Sequence, residues 1–276
     1  MTRTHNTHYL PDRITAMDEG QIRGVLLDID GVLYVGDRAV EGGTETIAWL
    51  RDEGIPFRCV SNTTRRSRRS IAARLGDLGY DITESEIFNP PIGAIRHLQG
   101  RTAFLLTTGD VADDFLSGGI TLVRNEAEAV VIGDAGDNFT YEHLNAAFRM
   151  ILDGAAIIAL ERDRYWMGGD GLMLSAGPFV AALEYATGRQ ATVVGKPAPE
   201  FFLGALQEIG VDPAGALMVG DDIRTDIDGA RAVDMNTALV QTGKFRQEVY
   251  EASGTRPDHL IPSIAALPDL VRRTYI

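Results

Sequence analysis

From residue 24 onward, short apolar runs of strand length alternate with stretches in which apolar residues recur at helical spacing. Residues 25–29 (VLLDI) read as a strand, 44–53 as a helix, 56–60 as a strand and 67–79 as a helix closed by Gly79. Strands over 103–106 and 130–132 follow, then a helix over 141–152, a strand over 156–160, a helix over 178–187 with Gly188 after it, and a strand over 192–194. A helix over 200–209, a strand over 217–219, a helix over 226–233, a strand over 237–240 and a helix over 264–272 complete the alternation. The predicted strands are almost continuously apolar, the pattern of parallel strands buried on both faces. They are more than one sheet holds comfortably, so two α/β units are expected; pattern alone does not place the boundary between them. Residues 1–20 carry no such pattern and read as a loose arm. His5 and His8 stand three apart there, a spacing open to a metal, but solvated side chains are the simpler expectation.

Composition narrows the classes. The 276 residues are 45% hydrophobic and 24% charged, the balance of a chain that buries a core rather than stays disordered. Against 39 Asp and Glu stand 26 Lys and Arg, a formal charge of −13. That excess repels phosphate backbones and anionic lipid, so neither nucleic acid nor membrane is an expected partner. It also makes the placement of the acids the question, because clustered carboxylates call for cations. The single cysteine, Cys59, permits no internal disulfide and no cysteine zinc cluster, and its place inside a predicted strand marks it as buried filler. The first segment has no apolar stretch of a secretory signal, and runs such as 155–160 are too short to span a bilayer. A reducing cytoplasm is the expected location.

In an open parallel sheet, ligands bind at the carboxyl ends of the strands. Asp28-Ile29-Asp30-Gly31 follows the first apolar run. Alternate strand residues share a face, so Asp28 and Asp30 are expected to emerge together, with Gly31 easing the turn away. Adjacent carboxylates raise each other's pKa unless a cation or a shared proton lies between them, and Mg²⁺, which takes one or two carboxylates plus substrate phosphate, suits the pair. Ser61-Asn62-Thr63-Thr64 sets hydroxyls and free N–H groups ahead of a helix, a phosphate cradle. Gly195-Lys196-Pro197 puts a compact positive charge at another strand end. Gly220-Asp221-Asp222, with Arg224-Thr225-Asp226 behind it, adds carboxylates at the same edge. Each piece alone is weak. All four at strand ends, in this order, point to phosphoryl transfer.

The set resembles the four motifs of the haloacid dehalogenase (HAD) superfamily of hydrolases, matched by Asp28 to Leu33, Ser61-Asn62, Lys196, and Gly220-Asp221-Asp222 with Thr225-Asp226. The long stretch between the second and third motifs is similar to subfamily IIA, which carries a large α/β cap there. The segments AFRMILDGAAIIAL, GPFVAALEYATG, VVGKPAPEFFLGAL and MVGDDIRTDIDGA carry the likeness, which runs from about Gly24 to the C-terminus. It implies a doubly wound, Rossmann-like parallel-sheet core of residues 21–80 and 190–276, with a cap over 81–189 that closes on the strand ends. It implies a Mg²⁺-dependent phosphatase acting on a small phosphorylated metabolite, whether a phosphomonoester, pyrophosphate or an N-phosphorylated compound. By resemblance Asp28 is the nucleophile that becomes an aspartyl-phosphate, and Asp30 is the general acid and then the base for water. Mg²⁺ is held by the Asp28 side chain, the Asp30 backbone carbonyl and Asp221. Ser61, the Asn62 N–H and Lys196 take the phosphoryl oxygens, while Asp222 and Asp226 orient waters and Lys196. Relatives often dimerise through the cap, so a homodimer is implied as well. The alternatives are a phosphomutase, which shields the same intermediate from water, a dehalogenase, which needs no metal, and a catalytically silent phosphate-binding regulatory protein.

Other features carry competing expectations. Asp134, Asp137 and Asn138 imitate a metal loop but lack the twelve-residue calcium spacing, so an ordinary cap loop is expected. Arg65-Arg66 and Arg68-Arg69 suit an acidic substrate tail, although a solvated helix face is the plainer outcome. Residues 162–177 are rich in glycine and aromatics. Core packing would explain them, yet Tyr165, Trp166 and Asp170 are the candidates for reading the leaving group.

Overall fold

Val25, Leu26 and Leu27 are all fully buried, and they alternate between two separate cores. A strand covered on both faces has this pattern. The computed structural model describes residues 21–168 and 171–274; the arm with His5 and His8, and Asp170, lie outside the described residues.

The strand β1 (Gly24–Asp28) leads into a hairpin of β2 (Tyr34–Val35) and β3 (Arg38–Ala39), then α1 (Gly43–Asp52), β4 (Phe57–Val60), α2 (Arg68–Asp77), β5 (Ile87–Phe88) and α3 (Pro90–Leu98). Next come β6 (Ala103–Leu106), α4 (Ala112–Ser117), β7 (Ala129–Ile132), α5 (Tyr141–Leu152), β8 (Ala156–Ala159), the hairpin β9 (Tyr165–Gly168) and β10 (Gly171–Leu174), α6 (Gly177–Thr187) and β11 (Thr192–Val193). The order closes with α7 (Pro199–Ile209), β12 (Ala216–Gly220), α8 (Gly229–Arg231), β13 (Asn236–Val240), α9 (Gln247–Ser253), β14 (His259–Ile261) and α10 (Leu267–Thr274). Among the described residues no helix is long and apolar enough to cross a membrane.

Six parallel strands form the larger sheet in the order β14-β13-β12-β1-β4-β5. Helices α1, α2 and α10 cover one face through Leu50, Leu75 and Val271, and α7 and α8 cover the other through Phe201, Phe202 and Ala230. A second parallel sheet, β11-β8-β7-β6, is covered by α5 and α6 on one face and by α3 and α4 on the other. The chain is therefore two doubly covered α/β units, as the pattern predicts. In the larger sheet the chain builds outward from β1 through β4 to β5, then returns to build the other way from β12. The two central strands flank the point where the order reverses, and a crevice opens there at their carboxyl ends. Asp28 ends β1, and Asp221 follows β12.

Some elements differ from the sequence expectations for local reasons. The larger sheet takes in β5, inside the 81–189 stretch expected to be cap, while β11, inside the 190–276 stretch expected to be core, pairs with β8 in the smaller sheet; at two residues each is too short for pattern to assign. Helix α3, which the hydrophobic pattern did not predict, opens on Pro90-Pro91. Both prolines sit in its first turn, where no N–H is missed, behind an Asn89 cap that accepts from Ile92 N at 3.3 Å. The expected 226–233 helix begins earlier, as a π-helical turn over Ile223–Asp228, because the Asp222 carboxylate accepts from Arg224 N and Thr225 N. The aromatic stretch in the cap forms the β9–β10 hairpin.

Phe88 anchors the β5 edge. It is fully buried and meets Phe201 edge-on, with ring centroids 5.1 Å apart. Phe88→Ala is expected to lower the unfolding free energy by ~3–5 kcal/mol in a denaturant titration, and a loss below ~1 kcal/mol would show that β5 is not part of the large core.

Candidate active site

Asp28, Asp221 and Asp226 are almost fully buried, and each offers a carboxylate oxygen within 4.8 Å of the others. The Lys196 ammonium is in direct contact with two of them. Lys196 Nζ donates to Asp28 Oδ1 at 2.5 Å and to Asp226 Oδ1 at 2.6 Å. Burial alone would lower the lysine pKa, but the charges of Asp226 and Asp28 outweigh it and hold Lys196 protonated. Burial raises the Asp28 carboxyl against the pull of Lys196, helped by Asp226 and Asp221, and it pushes Asp221 up to about 6. Lys244 adds a second positive charge near Asp221 without bonding to it through its ammonium, so the three carboxylates still outnumber the cations that act on them.

The two oxygens of Asp226 are both used, one by Lys196 and the other by Asp222 N at 3.1 Å. Asp221 Oδ2 accepts from Lys244 N at 2.7 Å, but Asp221 Oδ1 is buried with no hydrogen-bond partner. An orphaned carboxylate oxygen beside a second carboxylate, in a cluster short of positive charge, fits a hard divalent cation held by oxygen ligands. Asp28 and Asp221 are the side chains left to hold it. Room for this approach comes from two glycines. Gly31 and Gly243 both take positive φ, and a Cβ on either would collide with the Asp221 carboxylate.

Asp30 does not join the cluster. The expectation that Asp28 and Asp30 emerge side by side fails because β1 ends at Asp28, and the chain then turns, with Leu33 N bonding back to Ile29 O at 2.9 Å. The turn leaves Asp30 exposed, lining a cavity of about 660 Å³. The buried acid and the exposed one therefore sit in different surroundings.

Ser61 follows β4 and also lines this cavity. Its Oγ accepts from Thr63 N at 3.1 Å, which leaves the hydroxyl hydrogen to donate. Asn62 does more than its backbone suggests. Its side chain donates to Lys196 O at 2.9 Å and accepts from Lys196 N at 2.8 Å, locking the second motif to the third. Asp222 caps the following turn and stands 3.8 Å from the Lys244 ammonium.

From the cap, Trp166 of β9 reaches the same cavity, with the Arg65 guanidinium 5.4 Å from its ring centroid. Tyr165 sits on the alternate face of β9, 58% exposed and outside the cavity lining. The arginine cluster splits. Arg68 pairs with buried Asp114 at 3.5 Å and Arg69 with Glu84 at 3.5 Å, while Arg65 and Arg66 line the cavity rather than a solvated helix face. Asp134 is a joint between cap and cradle. Its N–H donates to Thr64 Oγ1 at 2.9 Å, and its carboxylate lies 3.6 Å from Arg65. Cys59 is fully buried, and burial pushes its thiol pKa up, as suits filler.

Sequence reasoning missed Tyr34 and the 242–244 segment. Burial and the neighbouring Asp30 charge push the Tyr34 phenol up, so it stays a neutral donor beside Asp30. Thr242 Oγ1 donates to Gly31 O at 2.6 Å. Thr242-Gly243-Lys244 follows β13, so the strand-end rule applied to one more strand would have found it.

Residues 25–138 match the family model described as haloacid dehalogenase-like hydrolase, and residues 193–267 match one described as HAD-hydrolase-like. The chain is 43% identical over 227 residues to the haloacid dehalogenase-like hydrolase domain-containing protein 2 of Homo sapiens, covering 82% of this chain and 86% of that protein. It is 39% identical over 258 residues to the phospholysine phosphohistidine inorganic pyrophosphate phosphatase of Homo sapiens, covering 91% and 94% respectively. The solved structure of the p-nitrophenyl phosphatase from Archaeoglobus fulgidus superposes with a TM-score of 0.84 at 29% identity, over 92% of this chain and 99% of that one.

Removing the central ammonium should expose the charge imbalance. Lys196→Met is expected to cost ~3–5 kcal/mol of stability at pH 7.5 in the presence of chelator, because it strands two buried carboxylates. The folded variant then binds protons more readily than its unfolded chain, so the cost shrinks as pH falls. Unfolding curves across pH read this out, and a cost independent of pH would contradict it.

Proposed function

The chain belongs to the haloacid dehalogenase-like hydrolase family, and on that footing we propose that it is a Mg²⁺-dependent phosphatase that hydrolyses a small phosphorylated molecule through an aspartyl-phosphate on Asp28. The observation that carries this reading is the buried cluster of Asp28, Asp221 and Asp226 around Lys196, at the carboxyl edge of the sheet and beside a cavity lined by Asp30 and Ser61.

Asp28 attacks phosphorus, and the bond to the leaving oxygen breaks. Two anions meet in that step, so catalysis rests on positioning and charge compensation. Lys196 offsets the charge on Asp28 and on the phosphoryl oxygens. Ser61 donates its free hydroxyl hydrogen to one of those oxygens, and the Asn62 N–H takes another. The Asn62 side chain keeps the Lys196 backbone in place. Asp30 gives its proton to the leaving alkoxide, then takes one from water as that water attacks the aspartyl-phosphate and frees Asp28. Tyr34, neutral beside Asp30, helps to orient that carboxyl group. Asp222 and Asp226 position the turn and Lys196.

Mg²⁺ fits the donors that remain: the Asp28 and Asp221 side chains, with the Asp30 backbone carbonyl as the third protein ligand. When bound, it neutralises charge that builds on the phosphoryl group. Trp166 stands on the leaving-group side and is the residue of this cap segment taken to read the leaving group. Pyrophosphate and N-phosphorylated compounds, named for one relative, fall within this chemistry.

Purified protein is expected to release phosphate from p-nitrophenyl phosphate with Mg²⁺ and to lose activity in EDTA. Asp28→Asn should lower the rate by at least ~10³-fold, because the nucleophile is gone. Trp166→Ala should reorder a panel of phosphomonoesters rather than lower all of them alike. Undiminished turnover by Asp28→Asn would refute the proposed mechanism.

A further inference from the structure

The cavity beside the phosphoryl site is lined by three guanidinium groups, and two of them are committed. Arg65 stands 3.6 Å from the Asp134 carboxylate and lies over Trp166. Arg74 pairs with Asp37 at 2.7 Å and lies 5.0 Å from the Tyr34 ring centroid. Arg66, on the same loop as Ser61, lines the cavity without any hydrogen bond, ion pair or ring contact among the described residues. In a chain with 39 acidic residues against 26 basic ones, an arginine without an acidic partner at the mouth of a site is not accounted for by the fold. Nor does the transferred phosphoryl group need it, since Lys196, Ser61 and the Asn62 N–H already face that group in the mechanism above.

We infer that Arg66 receives a second anionic group, a carboxylate or a further phosphate, carried by the leaving group of the substrate. The inference rests on the phosphatase reading and narrows its substrate class to phosphate esters and anhydrides with two separated negative groups. A guanidinium presents a planar fork of donors that matches a carboxylate or a phosphate with paired hydrogen bonds. Lys196 then neutralises the reacting end and Arg66 the distal end. The Arg65–Trp166 contact holds the cap hairpin beside the distal end, so a dianionic substrate is gripped at both ends under the cap.

The test compares kcat/KM for phenyl phosphate, carboxyphenyl phosphate and benzene bisphosphate on wild type, Arg66→Gln and Arg66→Lys. The wild type is expected to prefer the substrates with a second anion. In Arg66→Gln that preference, taken as the ratio to phenyl phosphate, should fall by about tenfold to a hundredfold, the worth of one charge-assisted pair. Arg66→Lys should retain part of it, as a point charge without the fork. The carboxylate and bisphosphate arms separate the two sources of negative charge. A loss of folded protein cancels in the ratio, so a merely structural role for Arg66 would not move it. An equal ratio in wild type and Arg66→Gln overturns the inference and leaves the phosphatase reading standing, whereas no hydrolysis of any of the three by the wild type overturns both.

Discussion

A buried ammonium shared by two carboxylates, with a third carboxylate beside them, sets the terms for the rest of this molecule. Lys196 bonds both Asp28 and Asp226, while Asp221 keeps an oxygen with no partner. Isolated charges in a protein interior are expensive, and replacing a whole buried ion cluster with well-packed apolar side chains is often neutral or even stabilising. The cluster carries this cost, and a bound cation of the kind proposed for it would offset the excess negative charge. The fold delivers the charges from far apart in sequence. Asp28 ends β1, Asp221 follows β12, Asp226 comes from the π-helical turn behind it, and Lys196 returns from the far side of the cap. Gly31 and Gly243 lie where any side chain would fill the space the Asp221 carboxylate needs.

The same loop that would cradle phosphate also joins the two units. Ser61 lines the cavity, Asn62 ties the loop to Lys196, Thr64 bonds the backbone of Asp134 in the cap, and Arg65 reaches both Asp134 and Trp166. A little further on, Ser67 donates through both its N–H and its hydroxyl to Asp110. Part of the contact between the two units therefore runs through the loop that carries Ser61 and Asn62.

Much of this was legible in the sequence, and the division follows physical lines. The central strands were plain because burial on both faces makes them continuous apolar runs, as in β1 and β12. The side chains gathered at the strand ends were easy to pick out where each comes soon after such a run, as for Asp28, Ser61, Lys196 and Asp221. What stayed hidden depends on tertiary contact or on exceptions to local rules. The two-residue β5 has no pattern of its own, and α3 opens on two prolines behind the Asn89 cap, a start that no apolar periodicity announces. Asp30 was expected beside Asp28 because strand alternation was carried one turn past the end of the strand. The separate fates of Arg65, Arg66, Arg68 and Arg69 follow from which acids lie across the fold from each, which a run of like residues does not disclose.

The central claim is that Asp28 carries the phosphoryl group covalently and that Asp30 clears it. The most direct measurement is an acid quench of the Asp30→Asn variant during turnover of p-nitrophenyl phosphate, followed by mass mapping of the peptides. The p-nitrophenolate ion leaves without needing a proton, so the first step can proceed, while no carboxylate remains to activate water for the second. The account predicts a phosphoryl group on Asp28 that accumulates in this variant and is absent from Asp28→Asn. Phosphate release with Asp28 unmodified, or a phosphoryl group found on any other residue, would contradict it.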